Sequence, residues 1–368
     1  MNHNFTNTIK NILENYFGEN SEQIFKNSKL IQYLNIKTVS ADRGSKSRGS
    51  FANIYAVYVL IEDYINHGFH KKGKYSKYEG AIFSDIFKRQ RELPFGLKLQ
   101  NHALNHRMNQ EFKKYFSTCD YIPIIRVVET KRYWINENLL IVKANKKKFN
   151  IAEAIIKIID KYVETKKNAF DSFIKTSKQL KTIETKESEK VKEFILSLIE
   201  PNVDARIFEI VSFSILKYDY KEQSIFWGYT SDTIEEDNLQ LYKTGRTNAN
   251  DGGIDFVMKP IGRFFQVTET TDVKKYFLDI DKLEKFPVTF VVKSTASIND
   301  LKESIRGGAI EQYTAEKVVE KYMDCIEEII NIDRLKQSLE KVEKENNLGN
   351  VLSEIIRQSK IEFNYDSE

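Results

Sequence analysis

The chain has 368 residues, of which 41% are hydrophobic and 30% charged, and it contains 24 Phe and 19 Tyr. This aromatic content excludes a chain that is disordered throughout, and the length allows two domains with sizeable cores. No apolar run reaches the roughly 20 residues that span a membrane, no export signal is visible, and the two cysteines form no C-x-x-C pair. We therefore expect a folded, cytoplasmic protein without a membrane span or a cysteine-based zinc site.

The net charge of +4 is small, but positive and negative residues are unevenly distributed along the chain. Residues 71–115 contain eleven Lys or Arg and four Asp or Glu, whereas residues 300–368 contain ten basic and sixteen acidic residues. A polyanion such as DNA would be attracted to the first of these segments and repelled by the second. The charge distribution therefore favours nucleic-acid binding by the N-terminal part of the chain.

Up to Asn150 the sequence mixes helical patterns with polar, turn-rich segments, which are typical of a substrate-facing region. Asn150 is a favourable N-cap residue, and an i, i+3, i+4 apolar stripe from Ile151 to Tyr162 predicts an amphipathic helix after it. The charged run Glu184–Lys190 has no such stripe and suggests a loose domain boundary. We predict a mostly helical recognition region over residues 1–185, a catalytic core over residues 190–300 and C-terminal helices over residues 301–368.

Beyond Pro201 the apolar period switches between that of a helix and that of a strand. The predicted order is a helix (Val203–Tyr218), three strands (Ser224–Tyr229, Gly253–Met258 and Arg263–Thr268), a helix (Val273–Leu283) and a buried strand (Pro287–Val292). A tight turn at Lys259–Gly262 joins the second and third strands. This order predicts an α/β fold in which helices flank a mixed sheet.

The remainder of the chain, from Ile298 onward, is predicted to be helical. A long charged amphipathic stretch there carries Leu335, Leu339 and Val342 among its apolar positions. We expect this face to serve for packing or for contact within a dimer.

Oxygen-bearing side chains are clustered on the predicted hairpin. Because side chains alternate along a strand, Asp255 can share one face with Gln266 and Thr268, while Phe265 and Val267 point to the other. Carboxylate and amide oxygens suit Mg²⁺, which also binds substrate phosphate and water. The preceding helix carries an acid, Glu209, between apolar neighbours, and a buried carboxylate is tolerable only if it binds a metal or a cation.

This arrangement resembles the PD-(D/E)xK nuclease superfamily, which includes most type II restriction endonucleases, and the resemblance covers roughly residues 203–294. It is especially similar to the branch in which Gln replaces the second acid. The resemblance implies that Glu209, Asp255 and Gln266 bind metal, and that Thr268 stands where the family usually has Lys. Glu269 could join as an acid through a bulge or register shift. The missing cation would come from Lys243, Arg246 or Lys274.

The resemblance also implies an activity, which is Mg²⁺-dependent hydrolysis of double-stranded DNA at a short specific sequence. We expect a homodimer, since cutting both strands of a palindrome favours two-fold symmetry, and a cognate DNA methyltransferase in the same host. Two alternatives stay open: a modification-dependent DNA nuclease, and a non-catalytic DNA-binding protein with a decayed nuclease core. The absence of Lys at position 268 keeps the second one open.

The recognition region carries side chains that pair with base edges or phosphates, because Arg can read guanine and Asn or Gln can read adenine. We predict DNA contacts from Arg43, Lys46, Arg48, Arg89, Arg91, Gln100, Asn101, Asn105 and Arg107. For any one of them a solvated polar surface is the simpler interpretation. His102 and His106 have the spacing of helical zinc ligands, but no H-E-x-x-H motif or Cys pair accompanies them, so we do not predict a zinc site.

Overall fold

A computed structural model of the chain describes residues 2–39, 41, 48–71, 74–97, 99–183, 187–201, 203–244, 254–269, 273–313 and 315–363. The chain divides into two compact units, Met1–Phe173 and Ile174–Glu368, and the boundary falls within one long helix. No helix in these described ranges is both long and apolar enough to cross a membrane.

The α-helices in this part of the chain are α1 (Asn4–Phe17), α2 (Ser21–Asn27), α3 (Lys29–Lys37), α4 (Arg48–Asn66), α5 (Phe83–Glu92), α6 (Met108–Tyr115), α7 (Glu137–Leu140), α8 (Ala152–Ile183), α9 (Ser188–Ser197), α10 (Ala205–Tyr220), α11 (Val273–Lys282), α12 (Ile298–Gln312), α13 (Glu316–Asp324), α14 (Ile332–Lys344) and α15 (Leu348–Phe363). The strands are β1 (Ala81–Ile82), β2 (Ile124–Val127), β3 (Arg132–Ile135), β4 (Ile141–Ala144), β5 (Lys147–Asn150), β6 (Ser224–Trp227), β7 (Glu235–Asn238), β8 (Gln240–Lys243), β9 (Phe256–Lys259), β10 (Arg263–Thr268), β11 (Val288–Val292) and β12 (Ile326–Ile330).

The first unit is mostly helical, as predicted for the N-terminal region. Helix α4 is buried on every side from Phe51 to Ile61, because its apolar run continues around the whole helix rather than along one stripe. Two small antiparallel sheets, β1-β3-β2 and β4-β5, complete the unit. The predicted N-cap is confirmed, since the side chain of Asn150 accepts a 3.0 Å hydrogen bond from the backbone N–H of Ala152 at the start of α8.

A mixed five-stranded sheet forms the centre of the second unit, with strand order β12-β11-β10-β9-β8. The pairs β8–β9 and β9–β10 are antiparallel, whereas the pairs β10–β11 and β11–β12 are parallel. Helix α10 covers one face, where Phe213 lies 5.2 Å from Phe256 between ring centroids. Helix α11 covers the other, where Tyr276 lies 4.7 Å from Phe290. The predicted mixed sheet flanked by helices is therefore confirmed.

The structure corrects two strand predictions. Strand β6 begins at Ser224 as expected, but it pairs with β7 in a separate two-stranded hairpin, and β8 supplies the first strand of the large sheet. The β6–β7 loop folds back so closely that a side chain at Gly228 would collide with the backbone of Thr233. The C-terminal part of the chain is not wholly helical either, because β12 pairs with β11 as an additional parallel strand. Both errors concern which strands pair through space, a choice that local apolar period does not determine.

The C-terminal helices α14 and α15 pack against α10. Leu335, Leu339 and Val342 are fully buried, so the predicted apolar face does serve for packing. A buried polar contact accompanies it, since Asp219 on α10 accepts hydrogen bonds from Ser338 at 2.7 Å and Lys341 at 3.0 Å. These helices hold α10 against the sheet and thereby position its N-terminal half.

Candidate functional site

The candidate site lies where β9 begins and β10 ends, at one end of the large sheet. The two strands form the predicted hairpin, with Phe265 opposite Phe256 and Arg263 opposite Met258. Gly262 closes the turn with φ 69°, a left-handed backbone conformation that glycine adopts at no steric cost. Strand β10 therefore begins beside the end of β9 and finishes beside its start, next to Asp255.

Asp255 occupies an irregular position just before β9. Its backbone N–H donates a 2.9 Å hydrogen bond to the carbonyl of Phe265, although Phe256 is the residue paired with Phe265. Asp255 and Phe256 thus both lie opposite Phe265, which is the arrangement of a β-bulge. The carboxylate of Asp255 also accepts a 2.7 Å hydrogen bond from the backbone N–H of Val267. This bond holds the carboxylate against the end of β10.

Strand alternation sets the direction of the β10 side chains. Gln266 is the neighbour of Phe290 on β11, so Gln266 and Thr268 point to the face covered by α11, while Phe265 points towards α10, as its 6.2 Å contact with Tyr220 shows. Gln266 is only 8% exposed, and its Oε1 has no hydrogen-bond partner within the described residues. An unpaired buried acceptor costs about 1–3 kcal/mol. Such an atom is suited to a ligand.

Glu209 pairs with Lys243, on the α10 face of the sheet. The carboxylate lies 2.6 Å from the ammonium group of Lys243, and both side chains are about nine-tenths buried. Lys243 ends β8 opposite Phe256, and the next residue, Thr244, donates from its backbone N–H to the carbonyl of Asp255 at 3.1 Å. The structure thus places Glu209 and Lys243 at the same end of the sheet as Asp255, but on the face opposite to Gln266 and Thr268.

A second buried lysine, Lys293, stands at the end of β11, and the sequence reasoning did not identify it. Its side chain is 7% exposed, pairs with Glu269, and donates a 2.5 Å hydrogen bond to the carbonyl of Val203. Its backbone N–H donates to the carbonyl of Thr268 at 2.9 Å. The signal was present in the sequence, because a lysine directly after an apolar β-branched strand lies where the carboxyl ends of parallel strands meet.

Four neighbouring strands therefore contribute charged or metal-ligating groups at one end of the sheet. Lys243 comes from β8, Asp255 from the start of β9, Gln266 and Glu269 from β10 and the residue after it, and Lys293 from the end of β11. The described residues contain no group of three or more His, Cys, Asp or Glu side chains that could hold a metal ion by themselves. A metal here would need the Gln266 amide oxygen and substrate or water oxygens in addition to Asp255.

Of the other proposed cations, Arg246 lies outside the described residues, and Lys274 is exposed on α11. Lys243, by contrast, ends β8 opposite Phe256, the residue that follows Asp255.

Some of the side chains predicted to contact DNA already form hydrogen bonds within the first unit, and others lie outside the described residues. Arg43 and Lys46 lie outside the described residues, and Arg48 begins α4, with no description of its side chain. Arg89 donates two 2.8 Å hydrogen bonds to Glu62, and Arg91 donates to the carbonyl of Leu97 at 2.8 Å. These two arginines are therefore held by contacts within the unit.

A segment from Gln100 to Tyr115 carries the remaining candidates, on a π-helical turn (Ala103–Arg107) followed by α6. Gln100 and Arg107 are exposed and Asn101 is half-buried, whereas the Asn105 amide oxygen accepts a 2.8 Å hydrogen bond from the hydroxyl of Tyr133. His102 and His106 are exposed and touch each other, with ring centroids 5.9 Å apart. Gln100 and Arg107 are the best placed of this set to meet a ligand.

Comparisons of the chain with models of protein families, with curated proteins and with solved structures find no match. A function therefore has to be inferred from the chemistry of the chain's own residues.

Proposed function

We propose that this protein is a Mg²⁺-dependent endonuclease that hydrolyses double-stranded DNA at a short specific sequence, in the manner of a type II restriction endonuclease. The observation that carries the proposal is that one end of a mixed sheet bears Asp255, a buried Gln266 oxygen without a hydrogen-bond partner in the described chain, the buried Glu209–Lys243 pair and the buried Lys293. The order helix, three strands, helix, strand, formed by α10, β8, β9, β10, α11 and β11, agrees with the resemblance to PD-(D/E)xK nucleases.

The donor set fits Mg²⁺ in its chemistry. Asp255 offers a carboxylate fixed by the Val267 N–H, and Gln266 offers a buried oxygen that lacks a hydrogen-bond partner in the described part of the chain. Both are hard oxygen ligands of the kind that Mg²⁺ takes together with phosphate and water. When bound, the ion would activate water and stabilise charge on the scissile phosphate. We assign Asp255 and Gln266 as its ligands.

The role of Glu209 differs from that of the other acids, because it lies against Lys243 rather than beside Gln266. We infer that Glu209 positions Lys243 on the α10 face of the sheet, so that its positive charge would reach the phosphate from the side opposite to Thr268. Lys293, held by Glu269, offers a second cation at the end of β11, which β9 and β10 separate from β8. A buried ammonium group next to the reacting phosphate would stabilise negative charge more strongly than it could in water.

Recognition of the sequence is assigned to the first unit, whose basic segment from Lys71 to Tyr115 would attract the DNA backbone. Arg107 and Gln100 are its exposed candidates for base or phosphate contacts. A homodimer matches the two-fold symmetry of a palindromic site, and a cognate methyltransferase would protect the host's own DNA.

The test compares plasmid cleavage by the wild-type chain in Mg²⁺ and in EDTA with cleavage by an Asp255→Asn variant. Asparagine can still accept the Val267 hydrogen bond, so the change removes charge while keeping the local backbone. We expect discrete fragments that require Mg²⁺, and at least about a hundred-fold slower cleavage by Asp255→Asn. Asp333→Asn, an exposed acid on α14, is the matched control and should cut at the wild-type rate.

Three outcomes would count against this assignment. If Asp255→Asn cuts DNA at the wild-type rate, the assignment of Asp255 to the active site is wrong. Cutting of methylated DNA alone supports a modification-dependent nuclease. Tight DNA binding without cutting supports a decayed core, an alternative that the threonine at position 268 keeps open.

A further inference from the structure

An open cavity lies beside the edge strand of the large sheet, outside the ligands assigned above. Its volume is about 750 Å³, and its walls come from α10, the segment from Asn238 to Lys243, and α15. Pockets of roughly 300–1,000 Å³ are typical of small-molecule and cofactor sites. Strand β8 pairs only with β9 in the described sheet, so its outer edge faces this cavity. An edge of this kind presents backbone donors and acceptors to a ligand.

The charge of the cavity wall is positive. Four cationic side chains line it, Lys217, Lys221, Lys243 and Arg357, and the described part of its wall contains no acidic side chain. Two carboxylates stand behind the wall: Glu209 pairs with Lys243, and the buried Glu354 pairs with Lys217 and Arg357. Burial would raise the pKa of Glu354, but hydrogen bonds from its cationic and amide neighbours lower it overall, so the carboxylate remains charged. Lys221 also has an exposed partner, Glu222, at 3.9 Å, so the four cations and three carboxylates leave an excess of one positive charge, which favours an anion.

Aromatic and amide groups accompany these cations. Tyr218 forms part of the wall, and the ammonium groups of Lys217 and Lys221 lie 5.8 and 6.0 Å from its ring centroid. Tyr242 also lines the cavity and is 47% exposed; its side chain leaves β8 on the side opposite to Lys243, so a base would stack on it across the strand edge. Amide side chains of the kind that read base edges also line the cavity, among them Gln240 and Asn350. The cavity thus contains cationic groups suited to a phosphate and aromatic and amide groups suited to a base.

We propose that this cavity binds a nucleotide, with Lys221 and Arg357 meeting the phosphate and Tyr242 stacking on the base. Because Lys243 belongs to this wall and ends β8 at the same end of the sheet as Asp255, a DNA strand held in the cavity would run towards the candidate active site. That part of the inference rests on the proposed function. A free nucleoside phosphate presents the same chemistry, and the experiment separates the two sources.

The test measures fluorescence anisotropy of a short fluorescein-labelled single strand of DNA with the full-length chain in EDTA, where no Mg²⁺-dependent cleavage occurs. Lys221→Ala should weaken binding about five-fold and lower the slope of log K against log salt by about 0.7, the value for one phosphate contact on single strands. Tyr242→Ala should weaken binding to a similar extent, whereas Tyr242→Phe keeps the ring and should bind like the wild type. Lys302→Ala, an exposed lysine on α12, is the charge-matched control.

Competition with deoxyadenosine monophosphate decides whether the bound nucleotide is free or part of a DNA strand. Displacement of the labelled strand by the mononucleotide assigns the cavity to a free nucleotide, and resistance to displacement assigns it to a strand. The proposal is overturned if Lys221→Ala and Tyr242→Ala both bind like the wild type, or if Lys302→Ala loses as much affinity as Lys221→Ala. A chain that never cuts DNA but shows Lys221-dependent binding would contradict the proposed function and leave the cavity assignment standing.

Discussion

Replacing Glu209 by glutamine tests whether the buried Glu209–Lys243 pair is organised as the structure indicates. Their charged atoms lie 2.6 Å apart with both side chains about nine-tenths buried. At an effective dielectric constant of about 20, two unit charges at this separation attract by about 6 kcal/mol, and most of this attraction offsets the cost of burying them. Removing one partner leaves the other charge buried, which costs about 3–5 kcal/mol.

We expect Glu209→Gln to lower the free energy of unfolding by about 3 kcal/mol, the lower limit, because glutamine can still accept a hydrogen bond from Lys243. The corresponding fall in Tm is about 10 °C for a unit of this size. The double variant Glu209→Gln/Lys243→Met, which buries no charge at this position, should regain most of the lost stability. Urea denaturation followed by circular dichroism gives the free energies.

The matched control is Glu222→Gln, because Glu222 lies 3.9 Å from Lys221 with more than half of both side chains exposed. An exposed pair of this kind contributes about 0–1 kcal/mol, so this variant should unfold close to the wild type. If Glu209→Gln behaved like Glu222→Gln, or if the double variant were no more stable than Glu209→Gln alone, the buried pair would not have the role inferred for it.

Two further predictions concern stability away from the candidate site. Burial alone would raise the pKa of Glu354, but hydrogen bonds from Arg357 and neighbouring groups lower it below its usual 4.5. The stability that Glu354 contributes is therefore present above pH 4.5 and is lost as the pH falls below that value. Glu354→Gln should flatten the acidic part of the curve of unfolding free energy against pH, and an unchanged acidic part would contradict this prediction. Gly80→Ala should lower the free energy of thermal unfolding by about 2–4 kcal/mol, because φ is +81° and the new methyl group would collide with the Trp134 ring. Gly68→Ala, with φ +77° and open space around it, should lower it by only about 1 kcal/mol. Equal losses in the two variants would show that the Trp134 contact is not responsible.

The sequence alone determined the elements whose signals are local. The hairpin of β9 and β10 follows from two apolar runs joined by a turn with Gly262, and β10 has the predicted bounds, Arg263–Thr268. Helix α11 and strand β11 also lie where the apolar period placed them. The alternation of Gln266 and Thr268 with Phe265 follows from the two-residue period of any strand.

Only the tertiary structure decided which elements meet. Strand β8 rather than β6 joins the large sheet, and β12 adds a parallel strand, because pairing depends on partners that are distant in sequence. For the same reason a local pattern could indicate that Glu209 needs a partner but not that Lys243 is that partner, 34 residues away, or that Lys293 lies beside Glu269. Residue type and period set what each side chain can do, and the packing of α10 across one face of the sheet sets which side chains can act together.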